Sequence, residues 1–410
     1  MILPIVSALP RIPTRRLGVA TMFAFLIAAA WAAPNPISGP KSNDGFQTNA
    51  AHAILIEADS GSVLFEKAAD ELIPPASLSK LMTAEVVFDL IKRDELKPTQ
   101  EFIVSTNAWR RGGAPSHTSS MFIPIHNKVS VDNLLHGVII QSANDACIVL
   151  AEGIAGSEFA FAEQMTKRAR EIGLSKSTFG NSNGLPNPKQ LMTSRELAKL
   201  ARHIIQTYPD YYKYYNEREF TWNKIRQFNR NPLLAMSIGA DGLKTGFTKE
   251  AGYGLVGSAV QNDLRLIVVV NGLRSEKERA DEGRKLLEWG FHNFQASLLF
   301  AEGQEIAQAK VYGGAKGHVS LVAPRAVKLM VPRGTRERIS ARVVYTGPVP
   351  APVEQGQKIG TLKVWRGNML ALEEPLQAAE TVGTGSLSGR AFDAASELVI
   401  NLFRAGLQRL

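Results

Sequence analysis

Residues 74–90 read PPASLSKLMTAEVVFDL. Two prolines precede an apolar run with helical periodicity, which is where proline is tolerated in a helix, and Ser77 and Lys80 stand one turn apart at its start. Residues i and i+3 share a helix face with an axial offset of about 4.5 Å, so the Lys80 amine can reach back to the Ser77 hydroxyl. Serine is a weak nucleophile until a base takes its proton. Lysine is that base only when neutral, and a free lysine titrates near 10.4, so a reactive pair here requires burial, a second cation or the positive end of a helix to lower its pKa.

Ser-x-x-Lys is a weak signal by itself, because Ser38-Gly39-Pro40-Lys41 also matches it, in a Gly/Pro-rich segment with no helical pattern. Two further elements, downstream and in order, distinguish the copy at 77. Ser142-Ala143-Asn144 falls on a turn between helical runs, and Lys244-Thr245-Gly246 comes just before a glycine-punctuated pair of strand-like runs. Ser105-Thr106-Asn107 also fits the middle element loosely, whereas Lys-Thr-Gly occurs once. Taken singly, Asn144 reads equally well as a helix N-cap and Lys244 as an exposed charge at a strand end.

Outward from these elements the chain divides by periodicity. AHAILIEADSGSVLFEKA (51–68) predicts two short strands joined at Asp59-Ser60-Gly61-Ser62. From 130 to 206 the pattern is mostly helical, and Thr193 with Glu196 forms a capping box ahead of the last helix. Strand patterns return in AGYGLVGSAV and LRLIVVVNGL, turned by Gln261-Asn262-Asp263, and the amphipathic EKERADEGRKLLEWGFHNF ends a domain placed at 33–294. Residues 295–378 carry short alternating runs such as IAQAKVY, AVKLMV, ISARVVY and GTLKVW, which predict a small β-sandwich or barrel. The linker TVGTGSLSG then leads, within 379–410, to RAFDAASELVINLFRAGLQRL, whose polar and apolar residues fall on opposite helix faces.

Residues 1–32 read as a secretory signal: three arginines, an apolar run, and Ala30 and Ala32 in an A-x-A arrangement that puts cleavage after Ala32. This predicts export. Losing the three arginines, with no acid in the segment, lowers the formal net charge from +9 by three, to +6. With no basic run interleaved with aromatics, nucleic acid is not the expected partner; an anionic membrane or acidic polymer fits better. The single cysteine, Cys147, cannot form an internal disulfide and sits in the apolar ACIVLAEGIAG, where it reads as a small buried hydrophobe.

With all three elements in place, the chain resembles the serine penicillin-binding enzymes, most closely the low-molecular-mass D-alanyl-D-alanine carboxypeptidases. The resemblance rests on PASLSKLMTAEVVFDLI, IIQSANDACIVLAEGIAGSEFAFAEQM, and DGLKTGFTKEAGYGLVGSA followed by RLIVVVNGLRSEKER, with the all-β domain and amphipathic tail behind them. It implies an α/β (α+β) transpeptidase-like fold, a five-stranded antiparallel sheet with a helical subdomain. It further implies that Ser77 attacks the amide between two D-alanines of a peptidoglycan pentapeptide and becomes an acyl-ester, with Lys80 as base and Ser142 relaying the proton to the leaving group. Asn144, Lys244, Thr245 and Gly246 would bind the substrate, and the backbone N–H groups of Ser77 and Phe247 would hold the oxyanion. Phe247 departs from the pattern, since some members carry histidine there. Arg279 matches an arginine that recognises the terminal carboxylate, and Arg230 matches another near the groove; each also reads as an ordinary surface charge. β-Lactams are the implied inhibitors, and no metal or cofactor is called for.

Three other functions stay in view. A β-lactamase of the relevant class uses an extra glutamate to activate water, and the matching region here, GNSNGLPNPKQ (180–190), holds no acid. An endopeptidase cutting D-alanyl cross-links would use the same groove chemistry. A non-catalytic wall-binding module would need no nucleophile, base or relay. The tail at about 388–410 is long enough as a helix to span a bilayer, at roughly 35 Å. Its charged stripe favours lying flat on the outer face of the cytoplasmic membrane, with docking on the β domain as the alternative.

Overall fold

The computed structural model describes residues 2–5, 46–334, 338–388 and 390–391. The signal segment and its cleavage site, apart from Ile2–Ile5, and the amphipathic tail beyond Ala391 lie outside the described residues. The chain forms two compact units, one of residues 42–299 and 328–335, the other of 1–41, 300–327 and 336–410.

The first unit is built on a five-stranded antiparallel sheet. Its strands are β1 (His52–Glu57), β2 (Val63–Lys67), β3 (Ala240–Thr248), β4 (Gly252–Gln261) and β5 (Leu264–Leu273), in the spatial order β2-β1-β5-β4-β3. Two expected hairpins, β1-β2 and β4-β5, are present. The outer strand β3 has no strand pattern of its own in the sequence. It carries Lys244-Thr245-Gly246 within it, paired with β4 through Lys244 opposite Val256 and Gly246 opposite Gly254.

Helices cover both faces of the sheet, so its central strands read as continuous apolar runs such as LIVVV rather than as an alternation. Leu266, Val268 and Val270 of β5 join Leu55, Leu255, Leu286 and Leu287 in one buried cluster, which the helix α5 (Glu276–Asn293) closes. Gly290 lets that helix approach, because a Cβ there would stand 2.6 Å from Leu55 Cδ2. From the opposite face Asn271 Nδ2 donates to Ser194 Oγ at 3.0 Å, at the start of α4 (Ser194–Thr207), which also carries the expected cap, Thr193 accepting from Glu196 N–H. The helical subdomain comprises α1 (Lys80–Lys92), α2 (Asn144–Ala155) and α3 (Glu158–Glu171), with α1 buried along nearly all its length.

Residues 327–332, read from the sequence as part of the β domain, pair instead with Phe294–Phe300, and Met330 enters the core cluster of the first unit. An alternating run announces a strand; its partner is fixed by long-range packing that no local pattern encodes.

The second unit is all β. Ile339–Tyr345, Lys358–Arg366, Met369–Ala378, His318–Val322 and Glu305–Tyr312 are hydrogen-bonded neighbours in that order, with Ile2–Ile5 and Val349–Pro350 at the edges. Alternate residues turn inward, among them Ala309, Val311, Val343, Leu362, Val364, Leu372 and Leu376.

Candidate active site

The helix carrying Ser77 starts one turn earlier than an ideal α-helix would, as a 3-10 turn Ala76–Ser79 that runs directly into α1. Ala76 has φ +49°, a left-handed conformation unusual for a residue with a Cβ and costing about 1–2 kcal/mol, and Ser142 sits at φ +62°. Both are buried. Strained backbone thus flanks the first and falls on the second of the hydroxyls singled out by the sequence.

Lys80 is 1% exposed, and its Nζ donates to Ser77 Oγ at 2.9 Å and to the Asn183 carbonyl at 2.5 Å. Burial, aided by the Arg230 cation, lowers its pKa to about 8, against the opposing pull of Asp145. This is the shift a lysine base requires. A protein interior disfavours the ammonium, so a substantial fraction is neutral near physiological pH.

Asn183 belongs to the segment 180–190, whose amide side chains tie the loop to itself. Gln190 Oε1 accepts from Gly180 N–H at 2.7 Å, and Asn181 Oδ1 accepts from Gly184 N–H at 2.7 Å. Gly184 has φ +81°, and a Cβ there would fall 2.0 Å from the Ala76 carbonyl, so the loop lies directly against the turn that carries Ser77.

The middle element forms the opposite wall. Ser142 ends the wide turn Gly137–Gln141 and is 2% exposed, while Gln141 and Asn144 on either side of it line the groove. Asn144 is the first residue of α2, whose N-cap is Ala143, so the N-cap role open to it in the sequence is not the one it takes. Its Nδ2 donates to Thr118 Oγ1 at 2.9 Å, and its buried Oδ1 has no protein partner. That carbonyl oxygen is free to accept from a ligand amide. Asp145, absent from the expected site, organises this wall: its carboxylate accepts from Ser120 Oγ and from Met121, Ile123 and Ala146 N–H. An acid directly after Asn144 at the head of an apolar helix was the available signal.

On β3, Lys244 is 2% exposed and Thr245 5%, which excludes the exposed strand-end charge read from the sequence. Burial, then Lys80 and Arg230, push the Lys244 pKa well below its usual range, and its Nζ donates to the Thr245 carbonyl at 3.0 Å. Gly246 explains itself by contact: a Cβ would stand 3.1 Å from Leu78 Cγ and 3.2 Å from Leu78 N, so only glycine brings this strand against the Ala76–Ser79 turn without displacement. Phe247 projects beyond it, 48% exposed and stacked on Tyr253 with ring centroids 4.1 Å apart.

Ser77, Asn144, Arg230 and Phe247 line a single open groove of about 410 Å³, with Lys80, Ser142, Lys244 and Thr245 buried around it. Arg230 Nη1 donates to Ser119 Oγ at 2.7 Å, bridging the β3 side and the helical wall. Arg279 does not line this groove. It is 6% exposed on α5, with its guanidinium over the Tyr253 ring and its buried Nε without a protein partner, and burial lowers its pKa. Cys147 is wholly buried and pushed up to about 12 by burial, so it stays a thiol, as its apolar surroundings in the sequence implied. Among the described residues no cluster of His, Cys, Asp and Glu could hold a metal.

Comparison with known proteins bears on the whole chain. A family profile described as D-alanyl-D-alanine carboxypeptidase matches residues 39–275, and one described as the C-terminal domain of penicillin-binding protein 5 matches 294–384. The chain is 39% identical over 383 residues to D-alanyl-D-alanine carboxypeptidase DacC of Escherichia coli strain K12, covering 92% of this chain and 94% of that one. Penicillin-binding protein 5 of Haemophilus influenzae has a similar structure, with a TM-score of 0.69 at 36% identity, covering 85% of this chain and all of that one. Penicillin-binding protein D2 of Listeria monocytogenes, in its cefotaxime-bound form, matches 61% of this chain with a TM-score of 0.54 at 30% identity. With a buried lysine on a serine at the mouth of a groove and these matches along both units, the chain belongs to the D-alanyl-D-alanine carboxypeptidase family of penicillin-binding proteins.

Proposed function

We propose that this chain is a serine-type carboxypeptidase that removes the terminal D-alanine from peptidoglycan pentapeptides through an acyl-enzyme on Ser77. The observation that carries the reading is the Lys80 amine, buried, 2.9 Å from Ser77 Oγ and with its pKa lowered to about 8. Neutral Lys80 takes the Ser77 proton as Oγ attacks the carbonyl carbon of the last peptide bond. The negative oxygen that forms is held by the Ser77 and Phe247 N–H groups. Ser142 passes a proton to the departing nitrogen, the C–N bond breaks, and D-alanine leaves. Water then hydrolyses the ester on Ser77. Asn144 Oδ1, buried and unpaired, accepts from a substrate amide N–H, Lys244, Thr245 and Gly246 on β3 bind the substrate from the opposite side, and Arg230 adds positive charge to the groove. The enzyme binds β-lactams at the same serine.

Incubating the mature protein with a pentapeptide ending in D-Ala-D-Ala, and separately with cross-linked muropeptide, and weighing the products tests this reading. Loss of one D-alanine from the pentapeptide with the cross-link intact is expected. Cleavage of the cross-link alone would make the enzyme an endopeptidase.

Arg279 is proposed to recognise the terminal carboxylate, with its unpaired buried Nε as support. Arg279→Ala is expected to lower kcat/KM for D-Ala-D-Ala ends by roughly 10- to 100-fold, the scale of a charge-assisted bond, while acylation by an ester lacking the carboxylate falls less than about threefold. Equal losses on the two substrates would assign it a structural role.

The protein is further proposed to be exported and held on the outer face of the cytoplasmic membrane by residues 388–410. No helix among the described residues is long and apolar enough to cross a membrane. Truncation after Gly389 is expected to abolish binding to anionic vesicles and to leave peptidase activity and Tm unchanged. Failure of the full-length mature protein to bind such vesicles, or unfolding of the β unit on truncation, would sink the anchor.

A further inference from the structure

The segment 180–190 holds no acid, yet the fold delivers one to it from elsewhere. Glu158, the first residue of α3, has a side chain only 12% exposed. Its Oε1 accepts from Ser182 Oγ at 2.9 Å, Ser182 N–H at 3.4 Å and Asn183 Nδ2 at 3.4 Å. Its Oε2 pairs with Arg111 Nη1 at 3.6 Å. The same two loop residues face α1 through their carbonyls: Ser182 O accepts from Thr83 Oγ1 at 2.6 Å, and Asn183 O accepts from Lys80 Nζ at 2.5 Å. Residues 182 and 183 are therefore clamped between a carboxylate on one side and the catalytic helix on the other.

We propose that Glu158 is a positioning residue for the reaction, holding the Ser182-Asn183 peptide so that the Asn183 carbonyl fixes the Lys80 amine and directs its lone pair at Ser77 Oγ. The physical case is one of directions. A neutral amine has two N–H bonds and one lone pair, and the lone pair reaches Ser77 only if an N–H is tied elsewhere. In the described structure that tie is a backbone carbonyl, which cannot be tuned by its own side chain and depends on the loop around it. Outside the catalytic helix, Glu158 Oε1 accepts from both Ser182 and Asn183, so one acceptor oxygen ties the two residues together. Loosening the loop by about an ångström would be enough to spoil proton transfer. The carboxylate's other oxygen pairs with Arg111.

The inference rests on Ser77 and Lys80 being nucleophile and base, and the test separates the two. Glu158→Ala, Glu158→Gln and Ser182→Ala are compared with the full chain for the rate of Ser77 acylation by a fluorescent penicillin from pH 5 to 10, for release of the label, and for circular dichroism and Tm. Glu158→Ala is expected to slow acylation by about 10- to 100-fold. Its acid limb should move to lower pH, since the ammonium form loses a fixed acceptor. Glu158→Gln keeps an acceptor oxygen and is expected to recover to within about threefold of wild type. Ser182→Ala, which breaks one contact of the clamp and leaves the Arg111 pair, should fall between them and serves if Glu158→Ala fails to fold. A folded Glu158→Ala or Ser182→Ala variant with unchanged acylation at every pH overturns the proposal. So does a variant that acylates normally and only releases the label more slowly, which would make Glu158 a base for deacylation. Complete absence of labelling in wild type would instead strike at the Ser77 assignment.

Discussion

Replacing Ser77 with alanine is expected to abolish labelling by fluorescent penicillin and to cut turnover of a D-Ala-D-Ala peptide by about 10⁴- to 10⁶-fold, the loss seen when a nucleophile that works with a base is removed. The fold should be unaffected. Ser77 is only half-buried, alanine is compatible with the 3-10 turn, and Lys80 keeps its bond to the Asn183 carbonyl when the hydroxyl is gone. Digestion of labelled wild type and mass mapping should find the adduct on Ser77. Labelling that survives in Ser77→Ala, or an adduct on Ser38 in the other Ser-x-x-Lys match, would defeat the assignment.

Lys80→Arg should be almost as damaging, with acylation reduced by about a thousandfold, within the range that general bases contribute. Arginine keeps the positive charge and the ability to donate but does not deprotonate in proteins, so it distinguishes a base from a charge. In the wild type, acylation requires the neutral amine and so should rise with pH, reaching half its plateau where Lys80 titrates, at about 8. The arginine variant should show no such rise. The stability consequence has a definite sign: the folded-state pKa lies below the unfolded value of 10.5, so the unfolded chain binds the extra proton between about 8 and 10.5. Stability from this group therefore increases as pH climbs through that window and is lost below it. Lys244 is displaced in the same direction by the same burial, so both lysines cost the fold stability at neutral pH. An acylation profile in wild type that is flat from pH 6 to 10 would exclude Lys80 as the base.

Cations gather in and around the groove. Arg230 and Arg279 both have pKa values lowered by burial, and the Lys80 charge adds to burial in lowering Lys244. Lys80, Lys244 and Arg279 are buried, and Arg230, exposed at the groove, stands close enough to act on both lysines, a costly gathering of like charge that a carboxylate-bearing substrate would relieve. Such strain at a site, set against the dense apolar sheet that supports it, is the usual division of labour between function and stability.

How much of this was legible in the sequence differs by element. Local order was plain: the Ser77 and Lys80 spacing follows from helix geometry, the hairpins from alternating runs and turn residues, and the Thr193 cap from a box of two residues. Each depends on interactions within a few positions of the chain. The Lys-Thr-Gly strand is hidden because β3 is an edge strand buried against the Ala76–Ser79 turn rather than by its own pattern, and Lys244 looks polar wherever it is placed. The acceptor for Lys80 was invisible for a stronger reason, since it is the backbone carbonyl of Asn183 and carries no residue identity at all. Glu158 was legible only as part of the mostly helical stretch 130–206. Its chemistry appears when α3 crosses the 180–190 loop, a contact between residues 24 positions apart. The sequence by itself determined which side chains could react and in what order they occur. Tertiary structure decided which were buried together, and hence that a lysine titrates near 8 instead of 10.5, because desolvation and neighbouring charge act through space and leave no mark on spacing.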